Sequence, residues 1–311
     1  MKAADMGMAF RGPDPARKLQ FAIESHNFER SVLELCRGNR FDRVVTALDS
    51  GSTQIPVEGY LDFVFFIIFE MAEGDLRRFV LREKAQDLAW VVSAIHNYAV
   101  AFSQIHSAEI YHNDFKPANA LVFPDIEKMA DLGCATSPNH RVFHDNFLCP
   151  GDSRFAPPEQ LYQGDLSGSK YDNFVRFKAG DLYNLGSVAH FLITKRMLTP
   201  EILQRLDHQF LPQLRGGGWG DGLEGVLPYW AKAFATAMSE FKDGLPSEWL
   251  ERFEFAIDEI RDLVFHLCEP DLRLRGDLSD SPVSPSKYSL QRVVSRTDHL
   301  RQRIQVISRA R

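Results

Sequence analysis

Residues 111–119 read Tyr-His-Asn-Asp-Phe-Lys-Pro-Ala-Asn, and the tripeptide Asp-Leu-Gly follows at residues 131–133. This stretch supplies two carboxylates, a primary ammonium group and two side-chain amides. Phosphoryl transfer needs a metal that bridges the phosphates, a cation near the transferred group and a carboxylate that orients the attacking hydroxyl. Asn and Asp offer the hard oxygen ligands that Mg²⁺ prefers, whereas Lys adds positive charge without competing for the metal. The stretch therefore predicts a magnesium-dependent phosphoryl-transfer site.

The same residues resemble the eukaryotic-type protein kinase family, whose catalytic loop reads His-Arg-Asp-Leu-Lys-x-x-Asn and whose metal-binding motif reads Asp-Phe-Gly. Three further matches follow in the order that the family has them: Phe-Ala-Pro-Pro-Glu at 155–159, Asp181 with Gly186, and Arg275. The resemblance extends from about Lys2 to Arg275, which is most of the chain. It implies an α+β, two-lobed protein kinase-like fold with a reduced β-rich N-lobe and a mostly helical C-lobe.

The resemblance also implies roles for the residues of the motif. Asp114 would accept or orient the proton of the substrate hydroxyl, and Lys116 would meet the γ-phosphate of ATP. Asn119 and Asp131 would hold Mg²⁺. Asp181 would fasten the catalytic loop from below.

ATP-binding groups are implied at several other positions. Lys2 fits the lysine of the family's third strand, and Glu29 is its expected helix partner, with Glu24 and Glu34 as alternatives. Adenine would contact the hinge, which is Glu70, Met71 and Ala72, and Leu121 would lie beneath the base.

The late arginine and the segment at 155–159 imply a structural contact as well. Arg275 would pair with Glu159, the last residue of Phe-Ala-Pro-Pro-Glu. Both residues lie far apart in the chain, so this pair would join distant parts of the C-lobe.

Two departures from the family pattern affect these expectations. Asn113 stands where most kinases have Arg, so the cation that binds a phosphorylated activation loop is missing. This argues against regulation by phosphorylation of that loop. The Gly-rich loop is also missing, because the chain opens at Met1 just before Lys2. Either the start codon lies further upstream, or the protein is a naturally shortened member of the family.

Composition narrows the class of protein. Among 311 residues there are 36 Lys and Arg and 42 Asp and Glu, giving a net charge of −6, which lacks the basic bias that nucleic-acid binding needs. The most apolar run, residues 64–69, is far shorter than a membrane helix. Four cysteines without a paired spacing are typical of reduced thiols. The sequence therefore predicts a cytoplasmic protein with neither nucleic acid nor membrane as a partner.

The hydrophobic pattern divides the chain into parts. Strands are predicted at residues 44–48 and 63–69, with a Gly/Ser-rich turn at 49–53, and amphipathic helices predominate after Asp87. We expect a kinase-like domain at 1–276, with an N-lobe at about 1–70 and a C-lobe at about 75–276. An insertion is expected at about 205–250, and a tail at 277–311 that is helical near its end. The insertion or the tail is where a partner would bind.

The function implied by the resemblance is ATP-dependent phosphorylation of protein Ser and Thr hydroxyls, since Lys116 two residues after the catalytic Asp is the Ser/Thr-kinase form. Two alternatives stay open. One is a pseudokinase, a binding or scaffold module with weak or no catalysis. The other is a kinase-like phosphotransferase that acts on a small molecule.

Overall fold

The computed structural model describes residues 1–4, 14–57, 60–80, 87–139, 149–162, 173–276 and 288–309. Within these ranges the protein has a small antiparallel sheet with one long helix, followed by a lobe in which helices predominate. This is the α+β, two-lobed architecture that the sequence predicts.

Three strands form the N-terminal sheet, in the order β1-β3-β2 with antiparallel neighbours. They are β1 (Lys2–Ala4), β2 (Ala47–Val57) and β3 (Tyr60–Phe69). Strand β3 is rich in aromatic and β-branched residues, which suit a pleated and half-buried surface. Its Ile67 lies opposite Lys2, so pairing with the central strand fixes where the lysine stands.

The turn predicted at residues 49–53 is wrong, because these residues lie inside β2 and pair with residues 64–68 of β3. Gly51 lies opposite Phe66 in this pairing. The Phe66 ring comes within 3.1 Å of the point where a Cβ on residue 51 would stand. The glycine therefore makes room for an aromatic ring on the neighbouring strand, and that packing overrides its turn propensity.

Helix α1 (Pro15–Gly38) packs against β2 and against the short 3₁₀ turn at Leu132–Cys134. Its start is capped by Asp14, whose carboxylate accepts a hydrogen bond from the backbone N–H of Arg17 at 3.1 Å. The buried face of the helix repeats every three to four residues and consists of Phe28, Glu29, Val32, Leu33 and Cys36. Glu29 thus shares the apolar face, which directs its carboxylate inward.

The C-terminal lobe is built around two helices, α3 and α5, that contact each other. The helices after α1 are α2 (Leu76–Val80), α3 (Leu88–Ser107), α4 (Pro158–Leu161), α5 (Asn173–Thr194), α6 (Leu198–Gln204), α7 (Gly222–Ser239), α8 (Ser247–Leu267) and α9 (Gln291–Arg309). None of the helices described here combines the length and the apolar composition that crossing a membrane requires.

A second small sheet lies at the junction of the two lobes. It consists of β4 (Gly74–Asp75), β5 (Ala120–Val122) and β6 (Glu127–Met129), paired in that order. The motif at 111–119 leads directly into β5, and β6 ends two residues before Asp131. The hairpin of β5 and β6 therefore holds the two halves of the motif side by side.

Helix α9 packs along α3. Its buried residues follow a spacing of three and four and are Val293, Thr297, Leu300 and Ile304. The buried Nδ1 of His96 lies 3.1 Å from the hydroxyl oxygen of Thr297, and Arg296 forms ion pairs with Glu259 and Asp262 of α8. These contacts join the last described helix to the C-terminal lobe.

Candidate active site

The loop that carries the catalytic motif is anchored by the fully buried carboxylate of Asp181 on α5. Its two oxygens accept hydrogen bonds from the backbone N–H groups of His112 and Asn113, both at 2.8 Å. The Nε2 atom of His106 lies 2.8 Å from the same carboxylate. The prediction that Asp181 fastens this loop is confirmed.

The carboxylate of Asp114 is surrounded by donors. Lys116 Nζ lies 2.8 Å from Oδ2 and 3.1 Å from Oδ1. The amide of Asn119 donates to Oδ2 at 3.3 Å, and the backbone N–H of Asp152 donates to Oδ1 at 2.6 Å. Each oxygen thus has two donors, which fills the four acceptor positions of a carboxylate.

A second cluster of charges forms around Lys2. Its Nζ lies 2.8 Å from both oxygens of Glu29 and 2.7 Å from Oδ1 of Asp131. The other two candidate partners are engaged elsewhere, since Glu24 accepts from Gln20 and Glu34 faces Arg30. The structure pairs Lys2 with Glu29, and it adds the contact with Asp131.

Burial and ion pairing oppose each other in this cluster. Burial alone would lower the pKa of Lys2, but the charges of Glu29 and Asp131 outweigh it and the net shift is upward. Burial raises the pKa of Glu29 despite Lys2, because this carboxylate lies on the apolar face of α1. Burial would also raise the pKa of Asp131, but Lys2 outweighs it and the net shift is downward. Asp131 therefore keeps its negative charge more firmly than Glu29 does.

Two side-chain oxygens remain that suit a hard metal ion. The amide nitrogen of Asn119 donates to Asp114, both to the backbone oxygen at 2.8 Å and to Oδ2, which turns the amide oxygen the other way. The Oδ1 atom of Asp131 accepts from Lys2 and from the backbone N–H of Gly133, which leaves Oδ2. An amide oxygen and a carboxylate oxygen fit Mg²⁺.

The two clusters meet around Cys134. Burial raises the pKa of this thiol to about 12, with added effects from the charges of Asp114, Asp131, Lys116 and Lys2. The segments that carry the two clusters are in direct contact, because Nδ2 of Asn113 donates to the carbonyl oxygen of Cys134 at 3.3 Å and Nε2 of His112 lies 3.0 Å from the carbonyl oxygen of Ala130. The structure thus brings the predicted catalytic, metal-binding and phosphate-facing residues into one site.

The predicted hinge, residues 70–72, follows β3 and leads into β4. Leu121 on β5 pairs with Asp75 on β4, which sets it beside the hinge segment, and Met71 is 90% exposed. The carboxylate of Glu70 accepts hydrogen bonds from the backbone N–H of Thr46 at 2.7 Å and from Lys128 Nζ at 2.7 Å. These contacts tie the start of the hinge to both lobes.

Some residues of the site are missing from the sequence-based prediction. Gly151 and Asp152 lie against the catalytic loop, and Arg154 holds the Asp152 carboxylate with Nη2–Oδ2 at 2.6 Å. Hydrogen bonds from Arg154 lower the pKa of Asp152 to about 2, because they outweigh the effect of burial, which would raise it. The sequence signal for these residues was a glycine followed by a charged pair shortly before Glu159. Only tertiary packing brings this segment to Asp114.

Comparison with known proteins gives consistent matches. The profile of the protein kinase domain matches residues 22–219. Mitogen-activated protein kinase 5 of Arabidopsis thaliana is 23% identical over 244 residues, which is 73% of this chain and 61% of that relative. Serine/threonine-protein kinase pkn3 of Myxococcus xanthus is 29% identical over 178 residues, 54% of this chain and 29% of the relative.

A third relative shares a higher identity over a shorter region. Serine/threonine-protein kinase KDX1 of Saccharomyces cerevisiae is 35% identical over 123 residues, 39% of this chain and 27% of the relative. The chain thus spans less than two thirds of the length of each of these curated relatives.

Proposed function

This chain belongs to the protein kinase family, and from that premise we propose that it transfers the γ-phosphoryl group of ATP to Ser and Thr hydroxyls of proteins, with Mg²⁺. The observation that carries the proposal is the contact of Lys2 with both Glu29 and Asp131, at 2.8 and 2.7 Å, beside the intact set of Asp114, Lys116 and Asn119. Lys2 thereby connects the N-lobe helix to the proposed metal carboxylate.

The proposed reaction is an in-line displacement in which the protein mainly positions and neutralises. The bond from the hydroxyl oxygen to the γ-phosphorus forms as the bond to the bridging oxygen of ADP breaks. The hydroxyl proton goes to the carboxylate of Asp114, and ADP leaves with the electron pair of the broken bond. Asn119 and Asp131 would hold Mg²⁺, which would neutralise the phosphate charge when bound.

In this scheme Lys116 can contact either of two anions, the carboxylate of Asp114 or the γ-phosphate. In the structure it contacts both oxygens of Asp114, which has no acceptor position left for a hydroxyl. When Lys116 turns to the γ-phosphate, one position on each oxygen is released. The same movement would then stabilise the transferred group and open Asp114 to the acceptor.

Nucleotide binding would use the residues at the lobe junction. Lys2, held by Glu29, would meet the phosphates. The adenine would lie between the hinge, which is Glu70, Met71 and Ala72, and Leu121 beneath the base. Protein Ser or Thr as the acceptor is supported by Lys116 and by the names of two relatives, which are serine/threonine kinases. A partner surface at residues 205–250 or in the tail from 277 belongs to the same proposal.

The direct test is transfer of radiolabelled phosphate from Mg-ATP to generic acceptor proteins such as casein and myelin basic protein. Wild-type protein should label the acceptor. Asp114→Asn should reduce the rate by at least about a hundredfold, because it removes the acceptor of the hydroxyl proton. Asp125→Asn, an exposed carboxylate in the turn between β5 and β6, is the matched control and should keep the wild-type rate.

The alternatives give different results in the same assay. Nucleotide binding without any transfer, in wild type and variant alike, would favour the pseudokinase. Transfer to a small hydroxyl compound but to no protein would favour the small-molecule phosphotransferase.

A further inference from the structure

Asn113 has a buried side chain at the centre of the candidate site, with 2% of its surface exposed and a backbone φ of 61°. Its Nδ2 lies 3.0 Å from the hydroxyl oxygen of Thr136, 3.2 Å from the carbonyl oxygen of Tyr111 and 3.3 Å from that of Cys134. One neutral amide group is thus shared among three acceptors on two segments.

Two of these acceptors belong to the segment that starts at Asp131. A 3₁₀ turn at Leu132–Cys134 connects the carboxylate to Cys134, and Asp131 itself has a left-handed backbone with φ 63°. Thr136 is further tied to Tyr111 by two backbone hydrogen bonds, at 2.8 and 2.9 Å. The Asn113 amide therefore fastens the segment just beyond the proposed metal carboxylate.

The backbone of Asn113 meets a different segment. Its carbonyl oxygen would lie 2.4 Å from a Cβ placed on Gly151, so only glycine fits there. The next residue, Asp152, donates its backbone N–H to Oδ1 of Asp114. Asn113 thus contacts both described ends of the stretch from 131 to 159, one through its side chain and the other through its carbonyl oxygen.

We propose that Asn113 is a positioning residue that holds the Asp131 carboxylate in register with Asp114 by fastening both segments to the catalytic loop. This rests on the proposed function, because it takes Asp131 as a metal ligand. All contacts of the amide are to uncharged groups. The three contacts of its Nδ2 atom therefore involve no phosphate on the protein.

The proposal is tested by metal binding, which is independent of turnover. The probe is Mn²⁺ in the presence of saturating ADP, with affinity measured by titration calorimetry. Asn113→Ala should weaken Mn²⁺ binding by at least about tenfold, the effect typical of losing a residue that orients a metal ligand. Treatment of the wild type with a phosphatase should leave its Mn²⁺ affinity unchanged.

Two further variants grade the effect. Thr136 is fully buried, and Thr136→Val keeps the volume of the side chain but removes the hydroxyl acceptor. The variant should weaken Mn²⁺ binding by about fivefold, as expected for the loss of one net hydrogen bond. Asn139→Ala is the matched control, because it removes an exposed amide that donates to Glu109 at 3.1 Å in the same segment. It should bind Mn²⁺ as the wild type does.

Hydrogen exchange separates this proposal from the proposed function. Amides of residues 131–136 should exchange faster in Asn113→Ala than in the wild type, whether or not the protein binds metal, because the side-chain contacts to this segment are lost. Failure of the wild type to bind Mn²⁺ with ADP would count against the proposed function. Wild-type exchange of residues 131–136, or wild-type Mn²⁺ affinity, in folded Asn113→Ala would overturn the positioning role. If Asn113→Ala does not fold, Thr136→Val decides by the same two measurements.

Discussion

Of the two carboxylates that contact Lys2, that of Glu29 loses its charge first as the pH falls. Its pKa is raised by burial, whereas that of Asp131 is lowered by Lys2. As the pH falls towards the raised pKa, Glu29 takes up a proton while Asp131 stays ionised, so Lys2 loses one of its two partners. We expect the rate of phosphate transfer to decline on the acidic side at a pH above the ordinary value of 4.5 for Glu.

Glu29→Gln tests this assignment. The variant has no carboxylate to titrate at position 29, so the acidic decline in the pH–rate profile should shift to lower pH while the maximal rate also falls. The contribution of Glu29 to the stability of the protein should also depend on pH, in a defined direction. Because the folded protein holds the Glu29 proton more tightly, this residue's contribution to the free energy of unfolding decreases as the pH rises through 4.5 to the raised value. An unchanged acidic limb in Glu29→Gln would contradict the assignment.

The thiols of the site should be unreactive at neutral pH. Burial raises the pKa of Cys134 to about 12 and that of Cys149 to about 11, so little thiolate is present. Alkylation by iodoacetamide at pH 8 should be more than about a hundredfold slower in the native protein than in urea, since only the thiolate reacts. Mass spectrometry of the two cysteine peptides over time gives the rates, and equal rates in both conditions would rule out this protonation state.

The segment at 149–154 packs directly onto the catalytic loop, and Gly151 is the point of contact. A Cβ there would lie 2.4 Å from the carbonyl oxygen of Asn113 and 2.7 Å from Oδ1 of Asp114. Gly151→Ala should therefore displace the segment, abolish transfer and lower the free energy of unfolding by about 1–3 kcal/mol. Gly218→Ala is the matched control, because no atom lies within 4 Å of its added Cβ. Equal activity and melting temperature of the two variants would show that the segment is not held here.

Arg275 and Glu159 connect parts of the C-terminal lobe that are distant in sequence. Both side chains are fully buried, with Nη1–Oε1 at 2.5 Å and Nη2–Oε2 at 2.9 Å, so the predicted pair is confirmed. The guanidinium also donates to the backbone oxygens of Glu269, Ala179 and Pro270. All of its donors are thus satisfied without water.

Removal of this arginine should destabilise the whole lobe. Arg275→Met leaves a buried carboxylate without its partner and should cost about 3–5 kcal/mol in urea unfolding. Arg273→Met removes a comparable two-point contact with Asp271, but at a side chain that is 48% exposed, and should cost at most about 1 kcal/mol. Similar losses for the two variants would contradict a central role for the buried pair.

The hydrophobic pattern and the motifs of the sequence were sufficient to predict much of the fold and of the candidate site. The three- and four-residue spacing of Val91, Ile95, Tyr98, Phe102 and Ile105 predicts α3, and all five are buried. The resemblance to the protein kinase family, which the order of the motifs carries, predicts the two-lobed fold, the anchoring by Asp181 and the Arg275–Glu159 pair. These features follow from the sequence because each depends on residue type at a fixed spacing, which local geometry or a family motif specifies.

Tertiary structure decided the features that depend on contacts between distant segments. The composition of residues 49–53 favours a turn, but pairing with β3 extends a strand through them. The choice of Glu29 over Glu24 and Glu34 depends on which face of α1 meets Lys2, and the approach of Gly151 and Asp152 to Asp114 depends on packing across the lobe. The sequence alone determined which chemical groups are present and in what order. For contacts that no family motif specifies, only the folded chain decided which groups touch, because burial and hydrogen-bond partners are set by residues far away in the sequence.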